Sequence, residues 1–93
     1  METIFIQIAA YRDRELIPTV KDAITQATHP ERLSFGICWQ FETQEEFHYI
    51  NPLKTITNCR IESIPATQSR GVCWVRSKVQ KLWQGEGYTL QID

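Results

Sequence analysis

Nothing in this chain marks it for export or for a membrane. Its amino terminus, Met1-Glu2-Thr3-Ile4-Phe5-Ile6-Gln7-Ile8, has no positively charged leading segment and no small-residue cleavage site. Its apolar residues alternate instead of running together, and no later stretch approaches the roughly 20 residues of a spanning helix. Cysteine is scarce as well. Cys38, Cys59 and Cys73 are odd in number and show no CxxC spacing. That argues against a disulfide framework and, with no export signal, for reduced thiols in a cytoplasmic compartment. Zinc is disfavoured because His29 and His48 do not sit at ligand spacing. Charge of one sign is also lacking: 10 basic against 11 acidic residues leave −1, with no general pull toward nucleic acid or lipid. Arg70, Arg76, Lys78 and Lys81 gather late, but without an aromatic stacking platform they read as a solvated helix face. Internal repeats and low-complexity tracts are absent.

What is present is a globular domain of 93 residues. A chain of this size buries roughly two-thirds or less of its unfolded surface, enough for a modest core but not for a cleft serving two substrates. Thr3 to Ala9 alternates as a strand, with Ile4, Ile6 and Ile8 on one side. Asp13 can cap the helix that follows, Glu15 suits its dipole, and Pro18 is tolerated in its first turn. Leu16, Val20, Ala23, Ile24 and Ala27 form the helical stripe, which His29-Pro30 ends. Leu33 to Gln40 reads as a second strand, giving a β-α-β unit and hence a parallel pair.

Residues 41–58 read as a loop with one helical turn, with Thr43 as cap and Glu46 as its capping-box partner. Cys59 to Pro65 is a third strand and 66–71 a turn. Val72 to Gln84 is a second helix with Val72, Val75, Val79 and Leu82 on one face, stopped by Gly85 and Gly87. Trp74, Trp83 and Tyr88 read as packing residues, and Tyr88 to Asp93 as a fourth strand. The expected fold class is an open, mostly parallel α/β sheet of nucleotide-binding type with flanking helices.

In such sheets ligands sit at the carboxyl ends of the strands, and the candidate residues follow from that rule. Ser69-Arg70-Gly71 precedes the second helix: Gly71 permits a tight turn, the helix start offers free N–H groups, and Arg70 is a planar fork for phosphate. The competing reading is a surface turn whose arginine pairs with a carboxylate. Ala9-Ala10-Tyr11-Arg12-Asp13 follows the first strand, and its alanines would let a flat base approach the backbone; they would equally pack under the helix. Trp39-Gln40 ends the second strand, with Trp39 as core or ligand shelf and Gln40 as a reader of a base edge. Asp93 closes the last strand on a carboxylate, the type of ligand that Mg²⁺ or Mn²⁺ prefers beside a diphosphate. The chain therefore reads as the front part of a nucleotide-binding domain, ending where the metal site would begin.

Four blocks in order carry a resemblance. They are Ile4 to Asp13, His29 to Gln40, Ser69 to Arg76, and Tyr88 to Asp93. Together they resemble the GlcNAc-transferase family, whose members include a cytosolic enzyme that glycosylates a hydroxyproline of a ubiquitin-ligase adaptor. The likeness runs over essentially the whole chain and more distantly extends to the mucin-type polypeptide GalNAc-transferases. It implies a GT-A fold over residues 1–93, truncated after the fourth strand, a UDP-sugar donor, and a divalent metal, Mn²⁺ or Mg²⁺. Arg70 matches an arginine that contacts the donor nucleotide. Asp93 matches the first position of an Asp-Ser-His metal motif whose other positions this chain lacks. Ala9, Ala10, Tyr11, Arg12, Trp39 and Gln40 match segments around the uridine. The implied activity is transfer of a GlcNAc-type sugar to a hydroxyl of a protein or glycan acceptor, with only part of the donor site retained. The alternative is a catalytically inactive α/β module that binds a partner or pairs with itself through an exposed edge, with no nucleic acid or membrane involved.

Overall fold

Alternation along the first strand decides the layering. The computed structural model describes residues 3–56 and 58–92, apart from the side chains of Val72 and Cys73. In β1 (Ile4–Tyr11) Ile6, Ile8 and Ala10 are buried on one face and Phe5 on the other. In β2 (Leu33–Phe41) Leu33, Phe35, Ile37 and Trp39 face the first core while Cys38 faces the second. Two-sided burial of both strands is the mark of central strands in a parallel sheet.

The sheet has four strands, all parallel, in the order β3-β2-β1-β4. β3 (Cys59–Pro65) pairs with β2 from Phe35 opposite Cys59, and β4 (Tyr88–Ile92) pairs with β1 from Ile4 opposite Tyr88. α1 (Leu16–Gln26) buries Leu16 and Val20 against the first core, with Ala23, Ile24 and Ala27 packed at its margin, as the stripe predicts. Asp13 accepts from the Glu15 amide at 2.9 Å, tightening the turn before the helix rather than capping the helix itself. α3 (Val72–Gln80) covers the opposite face with Val75 and Val79, against Cys38 and Ile64. No helix among the described residues is long and apolar enough to cross a membrane.

The connection between β2 and β3 is more ordered than a loop with one turn. It holds α2 (Gln44–Tyr49) and a 3-10 helix over Asn51–Thr55. Ile50 and Leu53 anchor it, each fully buried in the first core. Such burial stabilises by roughly 1.5–3 kcal/mol per side chain. Thr43 caps α2, its hydroxyl accepting from the Glu46 amide at 3.1 Å. Glu46 returns a bond to the Glu42 amide at 2.8 Å, one residue ahead of the cap. Thr43→Ala is expected to cost about 1 kcal/mol, read as a lower urea midpoint at unchanged slope.

Two expectations are corrected here. The helix expected over Val72 to Gln84 is α3 and stops at Gln80, because the Leu82 carbonyl is taken by Arg60 and the Gln84 amide by the Glu86 carboxylate. Trp83 and Tyr88 do not pack inside; they are 50% and 58% exposed. Trp74 does pack, against the second core.

Candidate functional site

The carboxyl ends of β1, β2 and β3 open into one groove. It has a volume of about 320 Å³ and is lined by Tyr11, Gln40, Ala66, Ser69 and Gly71. β1 contributes its last residue, β2 its last but one and β3 the residue that follows it, and the start of α3 closes the far wall. Gly71 takes φ +99°, a backbone that a side chain would strain, and the Val75 amide bonds back to the Gly71 carbonyl at 3.1 Å. The first amides of α3 and the positive end of its dipole therefore border the groove.

The near rim is built from charge. Arg12 stands at φ +52°, the non-glycine residue with left-handed backbone among those described. Three contacts hold it there. Its amide donates to the Gln40 carbonyl at 2.9 Å, its Nε lies 2.8 Å from a Glu46 oxygen, and Nη1 lies 3.2 Å from Glu42. The backbone cost, of order 1–3 kcal/mol, persists only because these partners over-determine the turn. Tyr11 donates its hydroxyl to Glu42. That bond raises the Tyr11 pKa, and Glu46 raises that of Arg12. Glu46 is itself lowered, first by the Glu42 amide and then by Arg12. The rim carboxylates are thus already matched to Arg12.

The predicted residues separate by strand parity, since neighbours on a strand point to opposite faces. Tyr11 and Gln40 share the groove on the α3 side. Ala10 and Trp39 lie on the α1 side, 3% and 1% exposed. Trp39 stacks on Tyr49 with centroids 5.3 Å apart, and its Nε1 donates to the Glu46 carbonyl at 2.8 Å. Ala9 packs against the second core and borders a small cleft with Asp13 and Ile92. Arg70 is exposed and lies just past Ser69, in an adjoining polar groove of about 560 Å³ with Glu62, Trp74 and Lys78. Lys78 sits 3.8 Å from Glu62 and over the Trp74 ring, whereas Arg70 has no ion-pair partner among the described residues. Ser69 borders both grooves, so a ligand spanning them would meet Arg70.

Glu42, Glu46 and Ala66 are the rim and lining residues that sequence reasoning did not assign to a site. An acidic residue just past the end of β2 was the available signal for Glu42. The two described thiols are poor nucleophiles: burial pushes Cys38 and Cys59 up to about 11. A divalent metal finds no ready ligand set either. No group of three or more His, Cys, Asp and Glu side chains converges among the described residues. Glu42 and Glu46 are engaged with Arg12, and Asp93 lies outside the described residues.

Comparison with known proteins agrees with this geometry at the level of family. The family model described as Glycosyltransferase (GlcNAc) matches residues 3–55 and 41–93, which together span every strand and helix above. Neither a curated protein nor a solved structure matches the chain. The chain belongs to the GlcNAc glycosyltransferase family.

Proposed function

We propose that this chain is the donor-nucleotide part of a GT-A glycosyltransferase domain that uses a UDP-sugar of GlcNAc type. The observation that carries the reading is the groove at the ends of β1, β2 and β3, bordered by the start of α3, next to an arginine with no carboxylate partner among the described residues. In this reading the base lies against Tyr11 and Gln40, whose amide can pair with a base edge. The diphosphate lies toward Ser69, Gly71 and Arg70. There the helix amides and the guanidinium offset its charge and that of the departing UDP. Arg12 acts indirectly, holding Tyr11 and Glu42 in place. A bound Mn²⁺ or Mg²⁺ would neutralise diphosphate charge, with Asp93 as its protein ligand; the described residues do not complete that site. The acceptor is a hydroxyl of a protein, such as a hydroxyproline, or of a glycan. It engages structure beyond this groove, and the chain alone is inactive in transfer. The reduced thiols suit a cytoplasmic setting.

The test is calorimetric binding of UDP to the full chain. Arg70→Ala is expected to weaken affinity about tenfold or more, the value of a charge-assisted hydrogen bond. Affinity unchanged by this substitution would remove Arg70 from the site. No UDP binding at any accessible concentration, with or without Mn²⁺, would overturn the donor-site reading.

A further inference from the structure

The strand-end groove has few groups with which to read a base. Of its lining residues Tyr11, Gln40, Ala66, Ser69 and Gly71, three carry a polar side-chain group. The Tyr11 hydroxyl is engaged by Glu42, which leaves its ring to the ligand. The Ser69 hydroxyl accepts from the Gly71 amide at 3.4 Å, in the turn that leads into α3. Gln40 differs from both. Its backbone is fixed: it stands opposite Tyr11 in the sheet, and its carbonyl accepts from the Arg12 amide at 2.9 Å. Its side-chain amide, however, makes no hydrogen bond among the described residues, and the residue is half-buried. The rim carboxylates do not hold that amide, because Glu42 and Glu46 are engaged by Tyr11 and Arg12. The Ala66 carbonyl already accepts from the Ser69 amide at 3.1 Å. One free primary amide is therefore the side-chain group left, among the described lining residues, to meet a base edge.

We infer that the groove binds uracil and cytosine nucleotides alike, with Gln40 reading either base, so that donors carried on CDP are accepted beside those carried on UDP. The inference rests on the donor-site reading above and widens its substrate class. A primary amide sets an acceptor oxygen beside a donor nitrogen. Uracil presents an N3–H donor beside the O4 acceptor. The Gln40 oxygen accepts from N3–H while its nitrogen donates to O4. Cytosine reverses the pair, with N3 as acceptor and the N4 amino group as donor. A half-turn of the Gln40 amide about its last torsion exchanges its oxygen and nitrogen, and it then meets cytosine with the same two bonds. That half-turn breaks no hydrogen bond among the described residues, since none holds the amide in either orientation.

Strong rejection of an analogue, of about 10⁴–10⁵, arises where the wrong ligand leaves a buried polar group of the site unpaired. Neither pyrimidine does so here. Both satisfy Gln40, and a half-buried amide also keeps access to water. Sharp selection between the two bases would need a second group bonded to the amide to fix its orientation, and the groove provides none among the described residues.

Calorimetric titration of the full chain, with Mn²⁺ present, by UDP, CDP and UDP methylated at N3 tests this. UDP and CDP are expected to bind within about fivefold of each other, less than the upper value of one neutral hydrogen bond. The N3-methylated UDP lacks the donor that Gln40 reads, and is expected to bind about two- to tenfold more weakly than UDP. Gln40→Leu is expected to keep the thermal melt and to weaken UDP and CDP by a common factor of that size, leaving their ratio unchanged. In this variant UDP and its N3-methylated form should bind equally. With UDP bound by the parent, a preference between UDP and CDP beyond about fivefold would overturn the inference and leave the donor-site reading standing. So would affinities that Gln40→Leu does not change, or an N3-methyl group without effect on the parent. Binding of neither UDP nor CDP would overturn both.

Discussion

Replacing Arg60 by alanine is expected to destabilise the chain by about 3–5 kcal/mol, the cost of leaving a buried charge without its partner. Glu86 is 8% exposed, the buried charged residue among those described. Arg60 reaches it from β3, with Nη2 2.5 Å from the carboxylate and Nη1 2.6 Å from the Leu82 carbonyl. The second carboxylate oxygen accepts from the Gln84 amide at 2.8 Å, and the Glu86 carbonyl accepts from Trp83 Nε1 at 3.0 Å. One pair thus ties the segment between α3 and β4 to the opposite edge of the sheet. Against total stabilities of roughly 5–15 kcal/mol for domains, the loss is large. For a domain this small it corresponds to at least about 12 °C in midpoint. Arg60→Ala combined with Glu86→Gln should recover part of it, since the double variant leaves no bare carboxylate.

The same pair gives the chain a pH dependence of definite sign. Burial opposes ionisation of Glu86, but the bonds from Arg60 and the nearby backbone amides outweigh it and hold the carboxyl down to about 2 against an ordinary 4.5. The unfolded chain therefore takes up this proton first as the pH falls. Stability is fully present above about pH 4.5 and is lost as the pH drops toward 2, by about 3 kcal/mol from this group. In Arg60→Ala the carboxyl loses its main support, so the gap between parent and variant should close across that window. A gap independent of pH in urea titrations would mean that Arg60 stabilises by packing alone.

Gly36→Ala is expected to cost at least about 1–3 kcal/mol, the penalty for overfilling a packed core. A methyl built there would lie 2.2 Å from Cζ and 2.6 Å from Cε1 of Phe5. The Phe5 ring cannot swing into solvent, because it is fully buried and the Arg60 guanidinium lies over it, 5.5 Å from the centroid. Three adjacent strands meet here: Phe5 on β1 reaches over Gly36 on β2, and Arg60 stands opposite Gly36 on β3. The glycine is required by close approach rather than by backbone conformation. Phe5→Leu in the Gly36→Ala background should restore part of the midpoint. A Gly36→Ala chain as stable as the parent would show that the ring has room to move.

Strand and helix identity was largely legible, because periodicity is a local property. The third strand, Cys59–Pro65, and the start of α3 at Val72 fall where alternation and the Gly71 turn place them. The groove was legible in part. Tyr11, Gln40 and the Ser69 to Gly71 turn could be named because strand ends and helix starts are where ligands are held in such sheets. The ordered connection over residues 44–55 was not, because Ile50 and Leu53 look like isolated apolar residues until they are seen to fill one core. Nor was the engagement of Arg12 by Glu42 and Glu46, which are 30 and 34 positions away along the chain.

The sequence by itself determined the parallel α/β class, through alternating runs separated by helical stripes, and the family, through four ordered blocks that the family model also spans. Tertiary structure decided which residues of each run look into the groove and which carboxylate is buried. Adjacent strand residues are indistinguishable by position in a list, yet Trp39 and Gln40 point to opposite faces and meet different neighbours. Glu86 resembles any surface glutamate until the fold brings Arg60 to it across 26 residues. Periodicity states which way a side chain points; burial and pairing depend on what the rest of the chain sets above it, and that is settled only by packing.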